Sequence, residues 1–147
     1  MKTLLPQLKV DIQEYFSNNY DYPEYNDIIV KEKFEKYPNI TYPVIAISEL
    51  NNESDNRFIN DSGEQISYLG YQFEIASEQT STHTAVENVQ IIGELLDNLL
   101  KNETYWCLRR IGSFPKQPKR TDNNVIIGYL RYECNLDINT NTIYRRV

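Results

Sequence analysis

Positive charge and proline meet in one stretch: Lys116, Lys119 and Arg120 fall within five residues, shortly after Arg109 and Arg110. Guanidinium and ammonium groups at that density can contact phosphate oxygens without regard to base sequence, or serve as a solubilising loop. Other reactive residue types are sparse. His83 is the only histidine and stands in a polar stretch with no cysteine nearby, so a zinc site or a Cys–His dyad has little to build on. It reads as a solvated residue ahead of a helix. Cys107 and Cys134 have no CxxC spacing and, in a reducing compartment, read as small buried hydrophobes rather than a disulfide or metal pair. The glycines stand singly at positions 63, 70, 93, 112 and 128, forming neither a phosphate-cradling loop nor a nucleophile elbow. Glu49 and Glu74 could meet across adjacent strands, but acid–base work also needs a pocket, and a solvated sheet face is the plainer reading. The expectation is a protein that is not an enzyme and uses no cofactor or metal.

The elements that must position these groups follow from apolar spacing. Leu5, Leu8, Ile12, Tyr15 and Phe16 mark one face of a helix that begins near Pro6, tolerable only in a first turn, and ends near Asn18. Residues 20–42 are ambiguous: Ile28-Ile29-Val30 suits a short strand, while Phe34 among alternating Lys and Glu suits a helical turn. Val44 to Glu49 predicts a strand apolar on both faces, hence central in its sheet, followed by a polar loop from Asn51 to Gly63. Strict alternation then predicts a strand over 66–76, with Leu69, Tyr71, Phe73 and Ile75 on its buried face.

Ser81, Thr82 or Thr84 can cap the next helix, 84–100, whose stripe is Val86, Val89, Ile92, Leu96 and Leu99. Residues 104–111 predict a third long strand. The Gly112–Arg120 stretch, broken by Pro115 and Pro118, predicts an irregular loop. A fourth strand spans 125–138, and the chain turns at 137–141 into a last short piece, Ile143-Tyr144-Arg145-Arg146. The economical assembly is one α+β domain over residues 1–147, a mixed or antiparallel sheet of four to five strands with two helices packed on one face.

Composition bounds the rest. A chain of 147 residues with 40% hydrophobic and 24% charged residues suits one folded domain with one core. No apolar run approaches the ~18 residues of a membrane span, and Lys9, Asp11 and Glu14 interrupt any leader, so a cytosolic protein without membrane contact is expected. Twelve tyrosines favour strands and contact surfaces. The net charge of −6 conceals a polarity: residues 1–100 hold 6 basic and 17 acidic groups, a balance of −11, whereas residues 101–147 hold 9 and 4, a balance of +5. Such asymmetry can mark a nucleic-acid-binding segment. It also suits head-to-tail contact between copies of the chain, the heterologous geometry that closes rings.

Three stretches carry a resemblance: Tyr42-Pro43-Val44-Ile45-Ala46-Ile47-Ser48-Glu49-Leu50-Asn51-Asn52; Gly63-Glu64-Gln65-Ile66-Ser67-Tyr68-Leu69-Gly70-Tyr71-Gln72-Phe73-Glu74-Ile75; and Tyr132-Glu133-Cys134-Asn135-Leu136-Asp137 with the ending Ile143-Tyr144-Arg145. In pattern and order they resemble the tail terminators, or tail-to-head joining proteins, of long-tailed bacteriophages. The resemblance implies a small subunit that assembles into a homo-oligomeric ring, commonly of six, caps the tail tube protein and presents a surface to the head completion or connector protein. It implies a place at the head–tail interface of the virion, host cytoplasm during assembly, a lumen in which DNA contact can occur, no cofactor and no shared catalytic residue.

On this reading the basic contributors to the subunit or partner interface are Arg109, Arg110, Lys116, Lys119 and Arg120, because no other stretch concentrates positive charge. The acidic side is too diffuse to assign beyond Glu53, Asp55 and Asp61 in the polar loop. A nucleic-acid-binding module, or another head–tail adaptor using residues 109–120, remains the alternative.

Overall fold

The computed structural model describes residues 5–36, 38–55, 66–101, 108–112, 119–120, 124–137 and 142–144. Helix α1 spans Leu5–Ser17, with Pro6 in its first turn. Leu8, Ile12 and Phe16 recur at the four-residue spacing that puts side chains on one face, and all three are fully buried. The helix closes with the Ser17 hydroxyl donating to the Gln13 carbonyl (2.8 Å), and the Asn19 side chain then accepts from the Asp21 and Tyr22 amides at 2.9 and 3.2 Å. That local bond turns the chain into a 3-10 turn, Pro23–Tyr25.

The piece left open between strand and helix is strand β1, Ile29–Glu32; Phe34 lies in the turn after it and is 90% exposed. The remaining elements are β2 (Val44–Asp55), β3 (Ile66–Ser77), α2 (Ala85–Leu100), β4 (Arg109–Gly112), β5 (Lys119–Arg120), β6 (Ile126–Asp137) and β7 (Thr142–Tyr144). They form one mixed sheet with the path β1-β2-β3-β6-β4, on which β5 and β7 also pair with β6. β1 runs parallel to β2, and the other pairings are antiparallel. The fold is α+β, with both helices contributing to one core.

Pleating sorts the residues. Val30, Ile45 and Ile47, Tyr71, Phe73 and Ile75, and Leu130 and Tyr132 share the face that meets Leu8, Ile12 and Phe16 of α1 and Val89, Ile92 and Leu96 of α2. Phe73 and Tyr132 meet edge to face with ring centroids 5.6 Å apart. Val44, Ile45, Ala46 and Ile47 are all buried, so β2, which lies between β1 and β3, is covered on both faces here. The opposite face carries Lys31, Ala46, Ser48, Gln72, Glu74, Tyr129, Arg131 and Glu133, and no described helix lies on it.

Several expectations need correction. β2 does not stop at Asn51: after a register shift between Glu49 and Asn51 it continues to Asp55, because β3 is long enough to pair with it that far. Lys119 and Arg120 are not irregular loop but a two-residue strand against Ile126 and Ile127. Val86 is 38% exposed, since it falls on the outer side of α2's first turn, whereas Ile92 and Leu96 are fully buried. Gln72 and Glu133, on the side of the sheet away from Tyr71 and Tyr132, are nonetheless buried, and Gln72 accepts from Arg131 Nε at 2.7 Å. Of the expected strand over 104–111, residues 108–111 lie within the described residues and β4 begins at Arg109; Cys107, Trp106 and the rest of that stretch lie outside them.

Candidate interaction surface

The long strand β6 organises the basic half of the chain. One side of it is paired with β3 along its whole length, and the other is taken in succession by β5 at Ile126–Ile127, β4 at Arg131–Glu133 and β7 at Asn135–Asp137. Arg109 stands opposite Glu133 and Arg110 opposite Tyr132, while Lys119 and Arg120 stand opposite Ile127 and Ile126. At ~3.3 Å per residue the two basic pairs are roughly 20 Å apart along the strand. These residues therefore stand on two short strands along that side of β6. Lys116 lies outside the described residues, and so does Asp61. Glu53 and Asp55 are placed near the β7 end of the sheet, in register with Tyr68 and Ile66 of β3 and through them with Asn135 and Asp137. They are thus at the opposite end from Lys119 and Arg120, and strand register does not bring these predicted partners together within one copy.

Arg110 is engaged internally. Its Nη1 lies 3.6 Å from Asp97 Oδ2 on α2, and Lys101 Nζ, one helical turn beyond Asp97, donates to the same oxygen at 3.2 Å. The other carboxylate oxygen accepts from the hydroxyl of Tyr132, a fully buried residue. Burial, then the Asp97 hydrogen bond and charge, hold the Tyr132 phenol above its usual range, while Arg110 pulls the other way. With a phenol and two cations on it, Asp97 ties β4 and β6 to the end of α2. Its chemistry is that of a structural clasp.

His83 also departs from expectation. It is half-buried, with Nε2 3.1 Å from Glu24 and Nδ1 3.3 Å from Glu87. The contact joins the 3-10 turn to the first turn of α2, where Thr84 caps the helix by accepting from the Glu87 amide. Glu49 and Glu74 do not meet. Glu49 is opposite Tyr71 on the core side, whereas Glu74 is opposite Ala46 on the helix-free face, where Lys33 donates to it at 2.8 Å.

Sequence reasoning missed Asn88. It is fully buried within α2, accepting from the Tyr25 hydroxyl at 2.5 Å and donating to the Glu78 carbonyl and Thr80 Oγ1, both at 3.2 Å. Its neighbour Val89 belongs to the apolar stripe, so Asn88 reads as one more polar helix residue. Only the buried hydroxyl of Tyr25, brought from far away in sequence, shows what the amide is for.

The sequence polarity becomes a polarity between layers. No Lys or Arg occurs between Lys9 and Lys31 or between Arg57 and Lys101, so nearly all of α1, the 3-10 turn, β3 and α2 are without cations. Among the described residues, Lys31, Arg109, Arg110, Lys119, Arg120 and Arg131 lie on strands together with Glu32, Glu49, Glu53, Asp55, Glu74, Glu133 and Asp137, so the strands carry both signs where the charges of the helices are nearly all acidic. A comparison with protein-family models and with curated proteins yields no match to this chain.

Proposed function

We propose that the chain is a structural subunit of a long-tailed bacteriophage virion, a ring-forming protein that caps the tail tube and joins it to the head connector. The observation that carries this reading is the uneven placing of charge in a two-layer domain, with α2 and nearly all of α1 free of cations and the strands bearing both signs. A difference in charge between two surfaces of one molecule can orient head-to-tail self-contact, and such contacts generate rings when the rotation between neighbours closes. The resemblance supplies the kind of ring, six copies by analogy with that family. Its three stretches fall largely on β2, β3, β6 and β7, which are neighbours in the sheet. The abundance of tyrosine suits interfaces.

Native mass spectrometry of the purified protein, with electron microscopy after mixing with purified tail tubes, tests the reading. The expected result is a closed ring seated on tube ends, weakened by moderate salt and by joint reversal of Lys116, Lys119 and Arg120 to Glu. A monomer at every concentration, with or without tubes, together with unchanged infectious particle yield from the triple reversal, would overturn it. Salt-sensitive DNA retention by that monomer would then favour the nucleic-acid-binding alternative.

A further inference from the structure

The sheet has two edges, and the described strands leave both open at the same end. On one side β1 pairs with β2 only from Val44 to Ile47, so residues 51–55 have β3 for a partner and no strand beyond them among the described residues. On the other side β7 pairs with β6 at residues 135–137, and it too has no described strand beyond it. Register puts the two stretches level: Ser54 is opposite Ser67, Ser67 opposite Leu136 and Leu136 opposite Ile143.

The amide and carbonyl of one strand residue point to the same side, and successive residues alternate. Ile47 points toward β1, because its carbonyl accepts from the Lys33 amide at 2.8 Å. Ser48 therefore bonds with its partner Gln72, and alternation along β3 turns Gly70, Tyr68 and Ile66 toward β2 and Ser67 toward β6. Their partners fix the two edges. Asn51, Glu53 and Asp55 bond to β3, so the Ser54 amide and carbonyl point out of the sheet. Leu136 bonds to Ser67, so Asn135 and Asp137 bond to β7 and the Ile143 amide and carbonyl point out at the opposite edge.

We propose that copies of this chain join edge to edge, with Ser54 on β2 of one copy and Ile143 on β7 of the next exchanging both backbone hydrogen bonds. The inference rests on the self-assembly reading above and names the two edges that meet. β2 and β6 run in one direction and β7 runs against them, so a neighbour related by rotation about an axis along the strands presents the two edges antiparallel. Antiparallel residues that point at each other exchange a pair of bonds, which is the case for Ser54 and Ile143. Because the two share a row, the contact needs no stagger along the strands. Each joined copy still offers one free edge to a further copy, the heterologous contact that closes rings.

The edges differ in how they are guarded. Beside α1, the Ile28 carbonyl accepts from Gln13 Nε2 at 2.9 Å and the Glu32 amide donates to the Glu35 carboxylate at 3.0 Å, which blunts β1. Neither residues 51–55 nor β7 contain proline or lysine, which commonly protect an edge. Two β2 edges meeting would set Glu53 and Asp55 against their own kind, whereas in sequence β7 is followed by Arg145 and Arg146.

Cysteine cross-linking tests the register. Antiparallel partners of this kind have Cα atoms about 5.5 Å apart, within reach of a disulfide. Within one copy Ser54 and Ile143 are three strand spacings apart, about 14 Å, so the bond forms only between copies. Oxidised with diamide, Ser54→Cys/Ile143→Cys should give a ladder of covalent multimers on a non-reducing gel. The two single variants mixed should stop at dimers, and each alone should match the wild type. Ser54→Pro removes the outward amide without touching the bonds to β3 and should raise the dissociation constant of self-assembly about tenfold, while Ser54→Ala, which keeps the amide, should leave it unchanged. Circular dichroism checks the fold of each variant. If the wild type assembles but the folded double variant gives no ladder, if Ser54→Cys alone cross-links to dimers, or if folded Ser54→Pro assembles like wild type, the edge contact is overturned and the ring reading stands. A wild-type monomer at all concentrations overturns both.

Discussion

Removing the Asn88 amide probes whether the 3-10 turn is fastened to α2 by buried polar bonds. In Asn88→Ala the Tyr25 hydroxyl loses its acceptor inside a residue only 1% exposed. A buried polar group left without a partner costs about 1–3 kcal/mol. The Glu78 carbonyl and Thr80 hydroxyl also lose a donor, but Glu78 is exposed and Thr80 half-buried, so water can replace it at roughly 0–1 kcal/mol. The expected loss is about 1–4 kcal/mol, a large share of the ~5–15 kcal/mol that holds a domain folded.

Tyr25→Phe orphans the Asn88 oxygen instead and should cost about 1–3 kcal/mol. Because the two changes remove the same bond, the double variant should be more stable than the sum predicts by roughly 1 kcal/mol or more. Urea unfolding followed by far-UV circular dichroism measures all three. A loss below about 0.5 kcal/mol for Asn88→Ala, or strict additivity in the cycle, would refute the account.

Leu96→Ala removes a fully buried side chain at the centre of the α2 stripe and should cost about 2–5 kcal/mol in the same assay, with wild-type secondary structure retained. Cys134 should resist thiol reagents in the folded protein and react once it unfolds, because burial first, and the nearby Glu49 charge second, push its thiol from 9.0 up to about 12. The raised folded value gives a sign. This group's contribution is fully present below its unfolded value and is lost as pH rises toward about 12, so Cys134→Ser should flatten the alkaline fall in stability above about pH 9.

What could be read from the chain was set by periodicity. The alternation of Tyr71, Phe73 and Ile75 and the helical recurrence of Ile92 and Leu96 fix which side is buried whatever the partner, and all five are fully buried. Positions whose environment depends on distant residues were not legible. Val86 fits the stripe by spacing, yet it lies in the first turn of α2 on the exposed side. Asn88 looks like surface until Tyr25 arrives. Lys119 and Arg120 form a strand only because β6 leaves that part of its edge unpaired by β4 and β7. Local composition cannot report an open position on a neighbouring strand.

The charge asymmetry shows how far a linear reading carries and where folding changes its meaning. Counted along the chain it separates a front from a back, which predicts an acidic region and a basic region. Folding interleaves the two: β6 of the basic half lies between β3 of the acidic half and β4, and Asp97 of α2 holds Arg110 and Lys101. What survives is the near absence of cations from α1 and α2, while the strands carry both signs. A helix layer and a sheet layer necessarily face opposite ways, so an asymmetry between them is directional in a way that an asymmetry between sequence halves is not. Directionality is what a subunit needs if each copy is to accept one neighbour on one side and offer itself to another on the opposite side.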